Sequence, residues 1–495
     1  MDNLLFDTND WTFEKLKKVE NAIAEIAFEE LKLDIYPNQI EIIDSSQMLD
    51  AYSSHGLPLM YHHWSFGKHF IQQKQSYQKG YQGLAYEIVI NSKPCISYLM
   101  EENSMTMQTL VIAHAAYGHN HFFKNNYLFR QWTDADGILD YLNFAKNYIA
   151  KCEEKYGVVE VMKTLDACHA IMDYGVDRYK RPSKLNKKKE EEQQKARLEY
   201  VQKQANELWT TLPNKKTENK VIENDRFPKE PQENLMYFLE KNSPILKDWQ
   251  REIVRIVRKI SQYFYPQRQT KLMNEGWASF VHYYIMNRLW DKNMISNGNY
   301  LEFIHSHSSV LRQLPYSSKY YNGFNPYALG FDMFMDIKRI CIHPEEEDKE
   351  LFPHLANSDW LEACLDAVKN FRDESFILQF LSPTIVRKWK LFEITDNEHD
   401  RFVTVSNIQD RKGYDNIRHT LSKQYSMSNQ PNIQIVDANL KGSRELKLEY
   451  TSSNGARLSD SKDQVLKYIE FLWGYDVSIT EKNIIYPTAD FFDYC

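Results

Sequence analysis

The 495-residue sequence has few of the residues that interrupt or cross-link a chain. It contains only 16 glycines and 16 prolines, so residues that favour helices dominate. Its six cysteines are scattered and form no C-x-x-C pair, a pattern more typical of a reducing compartment than of a disulfide framework.

The sequence also lacks the features of membrane, secreted and nucleic-acid-binding proteins. No window approaches the ~18 apolar residues of a membrane span, and the first stretch, MDNLLFDTNDWTFEKLKK, has no basic region before an apolar segment. The net charge of -7 gives no general attraction for polyanions. We therefore expect a soluble, cytoplasmic protein with no membrane span and no nucleic-acid partner.

Three common catalytic signatures are missing as well. The absence of G-x-x-x-x-G-K-[ST] and G-x-G-x-x-G argues against a nucleotide-phosphate cradle. The absence of G-x-S-x-G argues against a serine nucleophile on a sharp turn.

The residues that are present predict a mainly α (α+β) fold with a large core, since 42% of the chain is apolar. We expect a large helical domain with a few strands over residues 1–388, interrupted by a charged insertion at 184–232, and a small α+β domain over 389–495. Residues 85–101 predict two short strands around Lys93-Pro94, followed by a helix that begins at Ser104 or Thr106.

The stretch VIAHAAYGHN, residues 111–120, is the first candidate for metal chemistry. His114 and His119 are five residues apart, so a regular helix would leave their rings roughly 140° apart. A π-bulge would bring both rings onto one face, whereas Gly118 could instead end the helix and place His119 on a turn. The alternative is a pair of structural histidines with no ligand.

A second candidate is MNEGWASFVHYY, residues 273–284. Glu275 and His282 are seven residues apart, about 700° of rotation, and lie nearly on one helix face. A carboxylate beside Gly276, Trp277 and Ala278 is expected to be buried, and a buried carboxylate must be paired or bound to a cation. The alternative is a core ion pair with an arginine such as Arg255, Arg258 or Arg268.

Further histidines and a set of aromatic and polar residues complete the candidate site. His169, in CHAIMDYGVDRYKRP, is interpreted as a ligand or a partner of a ligand, while Asp177 and Arg178 favour an ion pair. EFIHSHSSV adds His305 and His307, one of which is expected to face inward. Two stretches dense in aromatic and amide groups predict either a substrate cleft or packed turns, through Tyr61, Lys68, Tyr320, Tyr321 and Asn325.

Long blocks of the sequence resemble the SpoVR family, named after stage V sporulation protein R. They follow the family's order over roughly residues 10–345, and include MLDAYSSHGLPLMYHHWSFGKHF, VIAHAAYGHNHFFKNN, YGVDRYKRP, WQREIVRIVRKISQYFYPQRQTKLMNEGWASFVHY and YYNGFNPYALGFDMFMDIKRIC. The resemblance implies a bacterial cytoplasmic protein connected with spore cortex formation or stress responses. It also implies a PrkA-type serine protein kinase as partner. At His305 the family more often has Gln, which favours His307 as the functional histidine of this pair.

A shorter resemblance concerns the chemistry. NEGWASF is similar to the N-E-G-[FW]-A segment of gluzincin aminopeptidases, and VIAHAAYGHN is similar to a zincin helix with one extra residue. It implies a zincin-like domain in which His114, His119 and Glu275 bind a divalent metal, with zinc as first choice. The chain departs from zincins at Ala115, where the general-base glutamate would stand.

We therefore predict a metal-dependent hydrolase that acts on a peptide or peptidoglycan-precursor amide. His282, His169 or His307 would provide acid-base chemistry, a fourth ligand or support for a ligand. The alternative is a non-catalytic regulatory or scaffold protein that acts with the serine protein kinase and keeps its histidines for structure.

Overall fold

The chain is described here from a computed structural model. The described residues are 4–53, 60–78, 87–177, 192, 196, 199, 226–321, 323–391, 393–395, 404–407, 411–427, 430–440, 442–452 and 457–483. Most of the predicted charged insertion at 184–232 lies outside them, as does Arg178.

Two compact units are present, each assembled from two segments of the chain. The first unit comprises residues 1–150 and 263–426, and the second comprises residues 151–262 and 427–495. The division into domains at residue 388 stays a prediction.

The first unit is mainly helical. Its first helix shows why: Thr12 accepts a hydrogen bond from the Lys15 N–H and caps the helix, and apolar residues at helical spacing bury one face. The helices that lie in this unit or enter it are α1 (Phe13–Glu29), α2 (Ser45–Ser53), α3 (Trp64–Gln78), α4 (Met105–Ile112), a π-helix (Ala113–His119), α5 (Asn120–Asn125), α6 (Tyr127–Trp132), α7 (Ile138–Tyr156), α10 (Asp248–Gln269), α11 (Lys271–Asp291), α12 (Asn297–Val310), α13 (Pro326–Ile342), α14 (Glu346–Leu351), α15 (Trp360–Asn370), α16 (Asp373–Phe380), α17 (Pro383–Lys388) and α18 (Arg411–Gln424).

A three-stranded sheet accompanies these helices, in the order β1 (Asn38–Ile43), β3 (Cys95–Met100), β2 (Glu87–Ile90). β1 and β3 are parallel, and β2 is antiparallel to β3. The prediction of two strands in residues 85–101 is confirmed by β2 and β3, and the next helix begins at the Ser104 cap. β1 was not predicted. The unit also contains a two-stranded ribbon, β4 (Glu393–Thr395) with β5 (Thr404–Asn407).

Helix α11 lies at the centre of the first unit, where it packs against both the π-helix and α13. Trp277 and Phe280 on α11 are fully buried and contact the ring of Phe334 on α13. The crossing of α11 and α13 is unusually close, because a Cβ on Gly276 would lie 2.5 Å from the Cα of Gly330. Only glycine at these positions allows the two backbones to approach this far.

The second unit combines helices with a mixed sheet. Its helices are α8 (Val158–Ala170), a 3₁₀ turn (Met172–Tyr174), α9 (Leu235–Asn242) and α19 (Lys462–Trp473), with parts of α7 and α10. Its sheet has the order β6 (Asn432–Asp437), β7 (Leu446–Ser452), β8 (Val477–Asn483), with β6 antiparallel and β8 parallel to β7.

The prediction of a mainly helical protein with small sheets is confirmed. In the C-terminal region the predicted strands correspond to β5, β6 and β7, and the predicted helices correspond to α18 and α19. β4 and β8 were not predicted. No helix among the described residues is long and apolar enough to cross a membrane, and the five cysteines described are buried and free of disulfides.

Candidate metal centre

A π-helix brings His114 and His119 together. Helix α4 passes at Ala113 into seven residues of π-helix that end at His119, and α5 follows without a break. Because a π-helix has about one more residue per turn than an α-helix, side chains five residues apart share a face. The two imidazole centroids are 4.6 Å apart, and both residues are buried. Of the two distortions considered from the sequence, the π-bulge is present and the helix does not end at Gly118.

Gly118 allows the π-helix to lie directly on α11. A Cβ at this position would stand 2.6 Å from the Cα of Ala278 and 2.9 Å from its Cβ. A glycine facing an alanine therefore sets the short distance between the helix that carries the two histidines and the helix that carries Glu275.

The second turn of α11 presents Glu275 to both histidines. Glu275 Oε2 lies 3.4 Å from His119 Nε2 and 3.9 Å from His114 Nε2. Arg258 was one of the arginines considered as an ion-pair partner of Glu275. In the structure it pairs instead with the buried Glu240. Asp373 holds the start of α11, since its carboxylate accepts hydrogen bonds from the N–H groups of Leu272 and Met273.

Strand β2 supplies a second carboxylate that the sequence analysis missed. Glu87 Oε1 lies 3.2 Å from His114 Nε2 and 4.0 Å from His119 Nε2. One ligand atom from each of Glu87, His114 and His119 lies within 4.8 Å of the other two. The available signal was a single acidic residue in the otherwise apolar strand EIVI.

These four residues, Glu87, His114, His119 and Glu275, are called the His/Glu cluster below. Their facing atoms are two imidazole Nε2 atoms and two carboxylate oxygens, the donor types that hold zinc and related divalent metals. The side chains of both glutamates are only 17% exposed, and Oε2 of each has no hydrogen-bond partner among the described residues. Two buried carboxylates with unsatisfied oxygens need a compensating positive charge.

The electrostatics of the cluster show the same demand. Burial is the main cause that raises the pKa of Glu87. Burial also opposes the charged forms of His119 and Glu275, but their mutual attraction outweighs it. That attraction raises the pKa of His119 to about 9, and together with His114 it holds the pKa of Glu275 well below its usual range. In the absence of a metal, a proton on His119 therefore provides part of the positive charge.

A second layer of hydrogen bonds orients both histidine rings. His119 Nδ1–H donates to Asn274 Oδ1 at 2.9 Å. His114 Nδ1 lies 2.9 Å from His282 Nδ1, and His282 Nε2 lies 2.7 Å from His307 Nδ1. Burial lowers the pKa of His282, and lowers the pKa of His307 to about 4, so both rings are neutral at neutral pH.

The direction of hydrogen bonding along the three rings follows from this geometry. If His114 binds a cation through Nε2, its Nδ1–H donates to His282, whose Nε2–H donates to His307. His282 thus contacts the cluster directly through His114, and His307 is connected to it through His282. His307 is the inward-facing member of its pair, since His305 is exposed.

The other predicted site residues lie elsewhere. His169 lies on the last turn of α8 in the second unit, and α8 ends at Ala170. Tyr61 is buried against Phe66, and Lys68 lies exposed on α3. A role for these three residues at the site stays a prediction.

The loop before α13 combines exposed and structural residues. Tyr320 is 70% exposed, and Tyr321 packs on Tyr316. The side chain of Asn325 caps α13 by accepting from the Tyr327 N–H and also donates to the Val310 carbonyl oxygen. Tyr327, on the first turn of α13, stacks on His114 with centroids 6.2 Å apart. Substrate binding by Tyr320, Tyr321 and Asn325 stays a prediction.

The fold and the cluster define a class: a mainly helical protein with a buried group of two histidines and two glutamates suited to a divalent cation. Comparison with known proteins gives the family. The family described as SpoVR like protein matches residues 10–430, and the SpoVR-like C-terminal domain matches residues 431–483. The chain therefore belongs to the SpoVR family.

One relative extends this match over nearly the whole chain. The chain is 56% identical over 480 residues to the uncharacterized protein YcgB of Escherichia coli (strain K12), an alignment that covers 97% of this chain and 94% of YcgB. No solved structure matches the chain.

Proposed function

We propose that the His/Glu cluster binds one divalent metal ion and that the protein is a metal-dependent hydrolase of zincin-like type. The observation that carries this proposal is that Glu87, His114 and His119 bring one ligand atom each within 4.8 Å of one another. Glu275 adds a second carboxylate, with Oε2 3.4 Å from His119 Nε2. Zinc is the first metal to test, and manganese and iron accept the same donors.

Glu87 gives the cluster the carboxylate that the sequence lacks at Ala115. One oxygen of Glu87 faces the two histidines, and the other has no hydrogen-bond partner among the described residues. That second oxygen would accept the proton of a water as it attacks a carbonyl carbon. The same proton would pass to the leaving amine as the C–N bond breaks.

The substrate that we propose is a peptide or a peptidoglycan-precursor amide, in a pathway of spore cortex formation or stress response. Hydrolysis of such an amide needs a polarised carbonyl, an activated water and a proton for the amine. A metal held by the His/Glu cluster would supply the first two, with Glu87 accepting the proton of the water. Family membership supports the physiological setting only, so the chemistry depends on the cluster.

Metal analysis of the full chain tests the proposal. Purified protein is loaded separately with zinc, manganese and iron(II), desalted and analysed for bound metal. We expect about one ion per chain, and its loss in the His114→Ala and Glu275→Ala variants. His121→Ala is the matched control, because His121 is buried on the neighbouring helix α5 with its ring on Trp277 and is outside the cluster.

Two outcomes would contradict the metal site. One is an unaltered chain that retains none of the three metals, and the other is binding that persists in both cluster variants. The first result favours the alternative of a scaffold protein that acts with a serine protein kinase, and the second places the metal outside the His/Glu cluster.

A further inference from the structure

Strand β2 forms an edge of its sheet, and the hydrogen bonds of the sheet show which of its backbone groups face outward. The Cys95 N–H donates to the carbonyl oxygen of Pro37, just before β1, and the Glu101 N–H donates to that of Ile43, the last residue of β1. With the register of the pair, this means that the odd-numbered residues of β3 bond toward β1. The even-numbered residues therefore bond toward β2, where they pair with Ile88 and Ile90. The backbone N–H and C=O groups of Glu87 and Val89 consequently point away from the sheet.

These outward groups are unpaired in the described part of the chain. Among the residues that the structure describes, no backbone or side-chain hydrogen bond is found to the outward N–H or C=O of Glu87 or Val89, and both residues are partly exposed. Glu87 and Val89 are two positions apart, and each has an outward N–H donor and an outward C=O acceptor. An extended chain that pairs with a strand bonds to every second residue in this way.

This free edge begins at the His/Glu cluster. The side chain of Glu87 faces the π-helix, and Val89, two residues on, has its side chain on the same face of the strand. Ile88 faces the opposite side, where it packs with Met48 and Met100. Since paired strands lie ~4.8 Å apart, a chain added along this edge would pass within a few ångströms of the cluster.

We propose that the edge of β2 binds an extended polypeptide as a fourth strand of the sheet and places one of its amide groups beside the cluster. The inference rests on the proposed function for the next step, the hydrolysis of that amide at the cluster. It narrows the substrate to a polypeptide, because only consecutive α-peptide bonds offer a donor and an acceptor in register with both Glu87 and Val89.

A peptide-binding assay with the full chain tests this proposal. The probe is a fluorescein-labelled hexapeptide of alternating threonine and valine, and its counterpart carries N-methyl groups on the backbone nitrogens. Val89→Pro removes the outward N–H but leaves the β2–β3 bonds intact. Ile40→Pro is the matched control, since the register of β1 with β3 points the Ile40 N–H outward at the opposite edge.

We expect the unaltered chain and Ile40→Pro to bind the probe with the same affinity. Val89→Pro should bind it roughly fivefold or more weakly, and the N-methylated peptide should bind weakly to every variant. Circular dichroism checks that each variant folds. If Val89→Pro does not fold, the comparison of the two peptides on the unaltered chain decides the question.

Three results would overturn the inference: no binding of the probe to the unaltered chain, equal binding by folded Val89→Pro, or equal binding of the N-methylated peptide. The assay is repeated on metal-stripped protein and on Glu275→Ala. These two samples separate a failure of the edge-binding inference from a failure of the proposed function. Peptide binding by a chain that holds no metal would leave the edge site standing and remove the hydrolase. Metal binding without edge-dependent peptide binding would remove the edge site and leave the proposed hydrolase standing.

Discussion

The contact between Gly276 and Gly330 gives a prediction that can be worked through from distances. In Gly276→Ala, the new Cβ would lie 2.4 Å from the carbonyl carbon of Gly330, 2.5 Å from its Cα and 2.8 Å from the Phe331 nitrogen. All three atoms are backbone atoms of α13, so no side chain can rotate away to make room. The helices would have to separate by about 1 Å to restore ordinary van der Waals contact.

The expected cost is at or above the upper end of the usual penalty for overpacking a core, about 3 kcal/mol. A change of this size should lower the Tm by about 5 °C, measured by circular dichroism. Because Gly276 follows Glu275 directly, separation of the helices should also weaken metal binding. The control is Gly67→Ala on α3, where a Cβ meets no atom within 4 Å and the Tm should hold or rise slightly. Gly276→Ala with the Tm of the unaltered chain would refute the close crossing.

Three further predictions concern the surroundings of the cluster. His282→Ala removes the acceptor of His114 Nδ1–H and should raise the metal Kd roughly 10- to 100-fold. Competition with a chelating dye measures this Kd, and an unchanged value would show that His282 does not position His114. Metal binding should strengthen about tenfold per pH unit below pH 9, because a metal must displace the proton of His119, whose pKa the carboxylates raise to about 9. A Kd independent of pH between 6 and 8 would contradict this. Asp373→Ala removes the acceptor of two backbone N–H groups at the start of α11. The free energy of unfolding, measured in urea, should fall by roughly 1–2 kcal/mol, and the metal affinity should fall as well. If both stay unchanged, Asp373 does not hold α11.

Helical periodicity accounts for the parts of the fold that the sequence predicted. The amphipathic α1, the Ser104 cap of α4 and the short elements of the C-terminal region follow local rules of spacing, capping and turn formation. The strands that were missed are β1, β4 and β8. β4 is only three residues long, and β1 and β8 take their places through pairing with β3 and β7 across intervening helices, a tertiary contact that local spacing does not show.

The candidate site was predictable where helix geometry decides it and not where tertiary contacts do. The five-residue spacing of His114 and His119 left two distortions open, and the packing of Gly118 on Ala278 is consistent with the π-helix. Nothing local connects Glu87 to the histidines, because β2 reaches them only through its place in the sheet. The second layer through His282 and His307 likewise depends on α11 and α12 lying side by side.

X-ray absorption spectroscopy of the full chain loaded with one equivalent of zinc is the most direct test of the central claim. Zinc in the His/Glu cluster should give a shell of nitrogen and oxygen atoms at about 2.0–2.2 Å with outer scattering from two imidazoles, and one imidazole should be lost in His119→Ala. A sulfur shell at about 2.3 Å, or a spectrum with no imidazole scattering, would contradict a metal centre formed by Glu87, His114, His119 and Glu275.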